Sequence, residues 1–157
     1  MPSMKEMVDD FLAQKRIAVV GVSRGTESPA NGIYKKLRDA GYTVYPINPN
    51  AQTLEGDPAY PDVKSTPDKP DGVVIVTRPA ETDKIVQDCA EAGIQRVWIH
   101  CSLVAHGSSA SESAVQFCHE HNITVIPAGC PFMYCKPVDP FHAGMRWFMR
   151  VTGKLPK

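Results

Sequence analysis

The chain has 157 residues, 43% of them hydrophobic and 22% charged, which is enough for one domain with a buried core and too short for two ordinary ones. Lys and Arg number 17, Asp and Glu also 17, so no overall charge draws the protein to nucleic acid or to an anionic membrane surface. No run of about 18 apolar residues occurs, and residues 1–10 lack the basic-then-apolar order of a secretory signal; a cytoplasmic protein is expected, with neither nucleic acid nor membrane as partner.

Met4, Met7, Val8, Phe11 and Leu12 repeat at helical spacing and predict an amphipathic helix over about 4–14. Ile17 to Val22 is a continuous apolar run, the pattern of a strand buried on both faces, and it gives way to Gly21 and Ser23. Ser28-Pro29 then offers an N-cap followed by Pro at the first helical position. The helix it opens carries Ile33, Leu37 and Ala40 and stops at Gly41. Thr43 to Ile47 reads as a second strand. Residues 49–70 hold five Pro and few apolar residues, which predicts a loop with at most a short helical turn.

Gly72 to Thr77 reads as a third strand, Thr82 to Ala92 as a helix closed by Gly93, and Arg96 to His100 as a fourth strand. Ser109-Ala110-Ser111-Glu112 has the spacing of a capping box ahead of a helix with Ala114, Val115, Phe117 and Cys118, which Asn122 closes. Ile123 to Ile126 is the fifth strand, and a terminal helix over about 141–152 is rich in aromatics and Met. Short apolar strands alternating with helices predict an α/β, Rossmann-like, doubly wound parallel sheet of about five strands in a single domain, 1–157. The terminal helix places Trp147 and Phe148 side by side, so they point to different sides. One side can pack on the domain and the other on a second copy, which makes a homodimer through this helix a partner to test.

In such a sheet the ligand crevice lies off the carboxyl ends of the strands, beside strand one, where the strand order reverses. Gly21-Val22-Ser23-Arg24-Gly25 leaves that strand. The glycines allow close backbone approach to a phosphate, and the helix start near Asn31 adds N–H groups and a partial positive charge. The segment is longer than a G-x-G-x-x-G fingerprint; a plain strand-to-helix turn would use the same residues. The end of strand two, Ile47-Asn48-Pro49-Asn50, carries neither the acid that holds an NAD ribose nor a base for NADP. An ordinary dinucleotide site is therefore disfavoured.

Gly21-x-Ser23, Gly41-Tyr42, Tyr45-Pro46-Ile47-Asn48-Pro49, Gly56, Tyr60 and a Val-rich third strand together resemble the CoA-binding domain family. These are small proteins similar to the N-terminal domain of the succinyl-CoA synthetase alpha subunit, and the resemblance runs from Lys5 to Pro137. It implies CoA or acyl-CoA as ligand, with Gly21 to Gly25 receiving the pyrophosphate, Asn48 and Pro49 bordering the adenosine side, and Thr77-Arg78-Pro79 covering the ligand. Gly129-Cys130-Pro131 stands where the synthetases have Asn-Cys-Pro. Three features depart from the pattern. The second synthetase domain with its phosphorylated His has no counterpart here, so ligase activity is not implied. His100-Cys101-Ser102 replaces a Gln and a Gly after strand four, and the lysines that follow strand two are absent. Arg24, Lys35, Lys36 and Arg78 become the candidates for pairing with phosphate.

Five cysteines, at 89, 101, 118, 130 and 135, are an odd number and read as reduced thiols rather than a disulfide framework. His100, Cys101, Cys130 and Cys135 fall at or just after the ends of strands four and five and could share one crevice. No C-x-x-C occurs, and His119 and His121 cannot share a helix face, so no metal is expected. A thiol-dependent enzyme using Cys130 or Cys101, or an atypical NAD(P)-dependent oxidoreductase, is the alternative to a binding, carrier or sensor module. No Ser-His-Asp order, carboxylate pair or H-E-x-x-H motif nominates a catalytic residue.

Overall fold

The computed structural model describes residues 2–25, 28–101, 108–136, 138 and 140–155. Helix α1 (Met4–Leu12) opens on a capping box in which Ser3 and Glu6 satisfy each other's backbone N–H groups. It is followed by β1 (Arg16–Val20), α2 (Pro29–Asp39) and β2 (Thr43–Ile47). The Pro-rich connection forms no helical turn. It makes a two-stranded ribbon, β3 (Thr53–Leu54) and β4 (Asp57–Pro58), around a turn in which Glu55 and Gly56 both take positive φ, the conformation a two-residue hairpin requires. Next come β5 (Gly72–Ile75), α3 (Pro79–Glu91), β6 (Arg96–Ile99), α4 (Glu112–Glu120), β7 (Thr124–Ile126), a 3₁₀ turn over Pro131–Met133 and α5 (Pro140–Val151).

The five long strands are all parallel, in the order β2-β1-β5-β6-β7. The chain runs outward from β1 to β2 in one direction and from β5 to β7 in the other. Right-handed crossovers must then put α2 on one face and α3 and α4 on the other. The core divides accordingly. Val8 and Phe11 of α1, Ile33 and Leu37 of α2, and Met145 and Met149 of α5 pack on Ile17, Val19, Val74 and Trp98. Val86 and Cys89 of α3 with Ala114 and Cys118 of α4 pack on Ala18, Val73, Val97 and Ile99. The strands read as unbroken apolar runs because both faces are covered. Trp98 anchors the first layer, edge-on to Phe11 with centroids 5.5 Å apart, and its indole N–H donates to the Ala128 carbonyl at 3.2 Å.

Several boundaries differ from the periodicity. Strand β1 stops at Val20 and β5 at Ile75, each two residues early, because Gly21 and Val76 already turn away into the crevice. Helix α3 starts three residues before Thr82, with Arg78 at the N-cap and Pro79 in the first turn. The cap of α4 is Ser111, whose hydroxyl accepts from the Ala114 amide at 3.0 Å. The Ser109 hydroxyl is committed elsewhere, to the Thr77 amide at 3.0 Å. No helix among the described residues is long and apolar enough to cross a membrane.

Candidate ligand crevice at the strand carboxyl ends

The strand order reverses between β1 and β5, and the structure opens there. A cavity of about 560 Å³ is lined by Gly21, Asn48, Pro49, Val63, Thr77, Lys84 and Ile85, with the carboxylates of Asp62, Glu81 and Asp88. A second, of about 460 Å³, is lined by Gly21, Ser28, Pro29, Thr77, Arg78, Pro79, His100 and Ser109. Gly21, Thr77 and Glu81 belong to both, so the two are lobes of one elongated crevice that crosses the sheet at its switch point.

Gly21 sits at the waist because no other residue fits. Its φ is +107°, and a Cβ there would stand 2.0 Å from the carbonyl oxygen of Val76. Its N–H donates to the Ile47 carbonyl at 3.3 Å, which ties the start of the loop to the end of β2. Beyond it two buttressing asparagines strap the loop. Asn48 Nδ2 donates to the Val22 carbonyl at 2.9 Å. Asn31, 1% exposed, accepts from the Ser23 amide at 2.9 Å and returns a bond to the Ser23 carbonyl at 2.8 Å. Its remaining N–H reaches Glu55 at 2.8 Å. Glu55 stands on the β3–β4 ribbon, which α2 holds through Arg38 Nη1 on Asp57 at 2.8 Å and through Tyr34 O–H on the same carboxylate. Those two donors hold the Asp57 carboxyl below the usual range.

The strand-one segment expected to receive phosphate meets the crevice through Gly21. Val22, Ser23, Arg24 and Gly25 do not line either lobe. Ser23 spends its amide on Asn31 and its hydroxyl on the Gly25 carbonyl at 3.0 Å. What the strand-one segment presents to the crevice is Gly21 and, after the loop, the start of α2 at Ser28 and Pro29. Thr77, Arg78 and Pro79 do border the crevice, as do Asn48, Pro49 and His100. Of the cations nominated for phosphate, Arg78 lines the second lobe and pairs with Glu81 at 3.6 Å. Lys35 leans on Glu55 at 3.9 Å, Arg24 is exposed, and Lys36 lies near Cys135.

The cysteines do not gather in one crevice. Cys130 and Cys135 are buried in the α1–α2–α5 layer, while His100 lines the second lobe. Burial pushes the Cys135 thiol up, only partly opposed by Lys36, and holds Cys118 at about 12, the wrong direction for a thiolate nucleophile. Cys101 is half-buried and pairs in a bridge with Ser108. Ser102, the last residue of the expected corner, lies outside the described residues, as does Pro137. Among the described residues no three His, Cys, Asp or Glu side chains come together as a metal site.

Sequence reasoning missed the α3 side of the crevice. Ala80, Lys84 and Asp88 lie one helical turn apart and line one wall of the first lobe, a spacing visible in the sequence once the helix is begun at Pro79. It also missed the acids. The end of β2 is free of them, yet the Pro-rich connection folds back and delivers Asp62. Beneath Thr77, a polar network joins Thr82 Oγ1 to Thr77 Oγ1 at 3.1 Å and to the Ser109 carbonyl at 2.7 Å. The buried polar or charged side chains among the described residues are Asn31, Thr82, Asp88, His100 and Ser109, and each lines this crevice or braces it.

Comparison with known proteins bears on what the crevice holds. The model of the CoA binding domain matches residues 15–136. The chain is 26% identical over 129 residues to the alpha subunit of ADP-forming acetate–CoA ligase II from Pyrococcus furiosus, covering 79% of this chain and 28% of that one. It spans 13% of the ADP-forming acetate–CoA ligase II of Archaeoglobus fulgidus, so it corresponds to a fraction of these enzymes. A Bacillus subtilis protein, the uncharacterized YneT, is 29% identical and is matched over 91% of its length. Among solved structures, Prb, a protein redesigned for binding, superposes with a TM-score of 0.75 at 26% identity over 98% of this chain and 94% of its own. A hypothetical protein from Pyrococcus horikoshii OT3 gives 0.74 at 27% identity over 83% and 87%. The chain belongs to the CoA-binding domain family.

Proposed function

We propose that the protein binds CoA or an acyl-CoA in the two-lobed crevice and acts as a binding, carrier or sensor module without catalysis of its own. The observation that carries this reading is the shape of the crevice, two lobes meeting at Gly21 on the switch point of a CoA-binding family fold. CoA is long and jointed. Its adenosine suits the first lobe, where Ile47, Pro49, Val63 and Ile85 supply apolar walls and Asn48 a polar edge. Its pyrophosphate would cross at Gly21, beside the N-terminus of α2, and its pantetheine arm would run under Arg78 and Pro79 towards His100. Asn31, Ser23 and Val22 serve by fixing the loop. Cys130 serves as a core residue. The five free thiols suit a reducing compartment, for which the cytoplasm is our assignment.

The test is calorimetric titration of the reduced protein with CoA, NAD and NADPH in parallel, on the wild type and on Ala80→Trp. Ala80 is exposed and lines the first lobe, so an indole there fills the lobe without entering the core. One-to-one CoA binding that weakens about tenfold or more in the variant, a loss of at least about 1.4 kcal/mol, with an unchanged melting temperature, is the expected result. Nicotinamide binding without CoA binding would replace this reading with the oxidoreductase one.

A second copy of the chain is the other partner we propose. Helix α5 packs on the domain through Met145 and Met149, while Trp147 and Phe148, expected on different sides, are both exposed with Phe141 and Val151, all four between 49% and 66%, an apolar stripe of the kind that pairs with itself across a two-fold axis.

A further inference from the structure

Two lysines from distant parts of the chain meet at the rim of the first lobe. Lys84 comes from α3 and lines the lobe. Lys64 comes from the Pro-rich connection, one residue after the lining residue Val63. Both ammonium groups contact the same carboxylate oxygen, Oδ1 of Asp88, Lys84 at 2.5 Å and Lys64 at 3.3 Å. Asp88 itself is only 9% exposed. A fixed anion that holds two flexible cations side by side removes much of their rotamer entropy in advance and offsets their mutual repulsion.

We infer that Lys64 and Lys84, gathered on Asp88, form a clamp for a phosphate monoester carried on the ribose of a nucleotide in the first lobe, so that the site distinguishes CoA from 3′-dephospho-CoA. The inference rests on the proposed CoA reading and adds to it the part of the ligand that is recognised and the residues that do so. Three observations direct a phosphate in this lobe to these lysines. First, Asn48, Pro49 and Asn50 at the end of β2 carry no charge, and Asp62 and Glu81, which also line the lobe, are acids that would turn it away from their own sides. Second, Lys84 is the cation among the residues that line this lobe. Third, donors remain: each ammonium has three N–H groups, of which Lys84 gives one to Asp88 and Lys64 gives one to Asp88 and one to Glu91, at 2.8 Å. A phosphate seated between them would accept from both while Asp88 keeps its place behind them. The rival explanation is that these ion pairs only staple the Pro-rich connection to α3.

The two explanations separate by ligand. CoA and 3′-dephospho-CoA are titrated into the wild type, Lys84→Met and Lys64→Met, with the melting temperature of each recorded. The clamp predicts that the wild type prefers CoA by about tenfold or more, in keeping with charge-assisted hydrogen bonds. Each variant should lose most of that preference while its affinity for the dephospho form stays the same, and Lys84→Arg should keep the preference. The preference should also shrink with added salt. A staple alone predicts a lower melting temperature in Lys64→Met and equal weakening, or none, for both ligands. If the wild type binds both ligands equally, the clamp is refuted and the CoA reading stands; if it binds neither, both fall.

Discussion

Replacing Asn31 by Ala would leave the amide and the carbonyl of Ser23 and the carboxylate of Glu55 without the partner they now share. Each unsatisfied group costs about 1–3 kcal/mol when water cannot replace the lost bond, and these sites are part-buried, which favours the low end for each. The expected loss is about 3 kcal/mol in all, seen as a lower urea midpoint at unchanged m value. CoA affinity should fall further than stability explains, because the loop that starts at Gly21 would lose its strap. Asn31 could be picked from the sequence as part of the cradle, but its role as a strut could not. That role depends on Glu55, 24 residues later, at a turn whose Glu-Gly pair lacks the usual Asn or Asp signal. Ser23 shows the same limit, for a serine hydroxyl beside a glycine loop can donate to many acceptors and the fold gives this one to the Gly25 carbonyl. Residue types announce what a group can bond, while the fold decides what it does bond.

The β3–β4 ribbon is the element that transmits α2 to the loop, and its anchor titrates. Tyr34 and Arg38 depress the Asp57 pKa, so the folded state holds the charged form more tightly than the unfolded chain does. The associated stability is fully present above the ordinary carboxylate value of about 3.9 and is lost as pH falls through the lower folded value. Asp57→Asn should therefore be less stable than wild type at neutral pH, and the gap should close in acid; denaturant titrations at several pH values measure it. A gap independent of pH would mean that the ribbon is held by shape and the Arg38 bond to the Glu55 carbonyl alone. At this scale most of the fold was legible, since β1, β2, β5, β6 and β7 are apolar runs and α1, α2 and α4 carry clear stripes. The start of α3 was not, because its cap is Arg78, which makes no side-chain cap bond, and its first turn faces the crevice instead of the core. The ribbon was not, because strands of two residues have no period to read.

The crevice at the carboxyl ends of the strands and the outer face of α5 are separate regions of the described residues, since no residue of α5 lines either lobe. Binding and self-association should therefore be separable. A helix of 12 residues is about 18 Å long, and a stable interface needs about 800 Å² from each partner, more than one such helix supplies alone. The apolar side chains at 141, 148 and 151, with Gly144 between them open to space, let two copies approach closely, yet the pairing is expected to be weak and to depend on concentration. Sedimentation should show a mass near 17.2 kDa at low concentration that rises towards twice this value as the protein is concentrated. Phe148→Glu would bury an unpaired charge in that contact, so the variant should stay at the lower mass throughout, with the same melting temperature and the same CoA affinity. If the wild type also stays at the lower mass in concentrated solution, α5 does not join copies of this chain, and its exposed aromatics face a different protein or none. If Phe148→Glu weakens CoA binding as well, the two regions are coupled across the sheet, through Met145 and Met149 and the layer they share with α2.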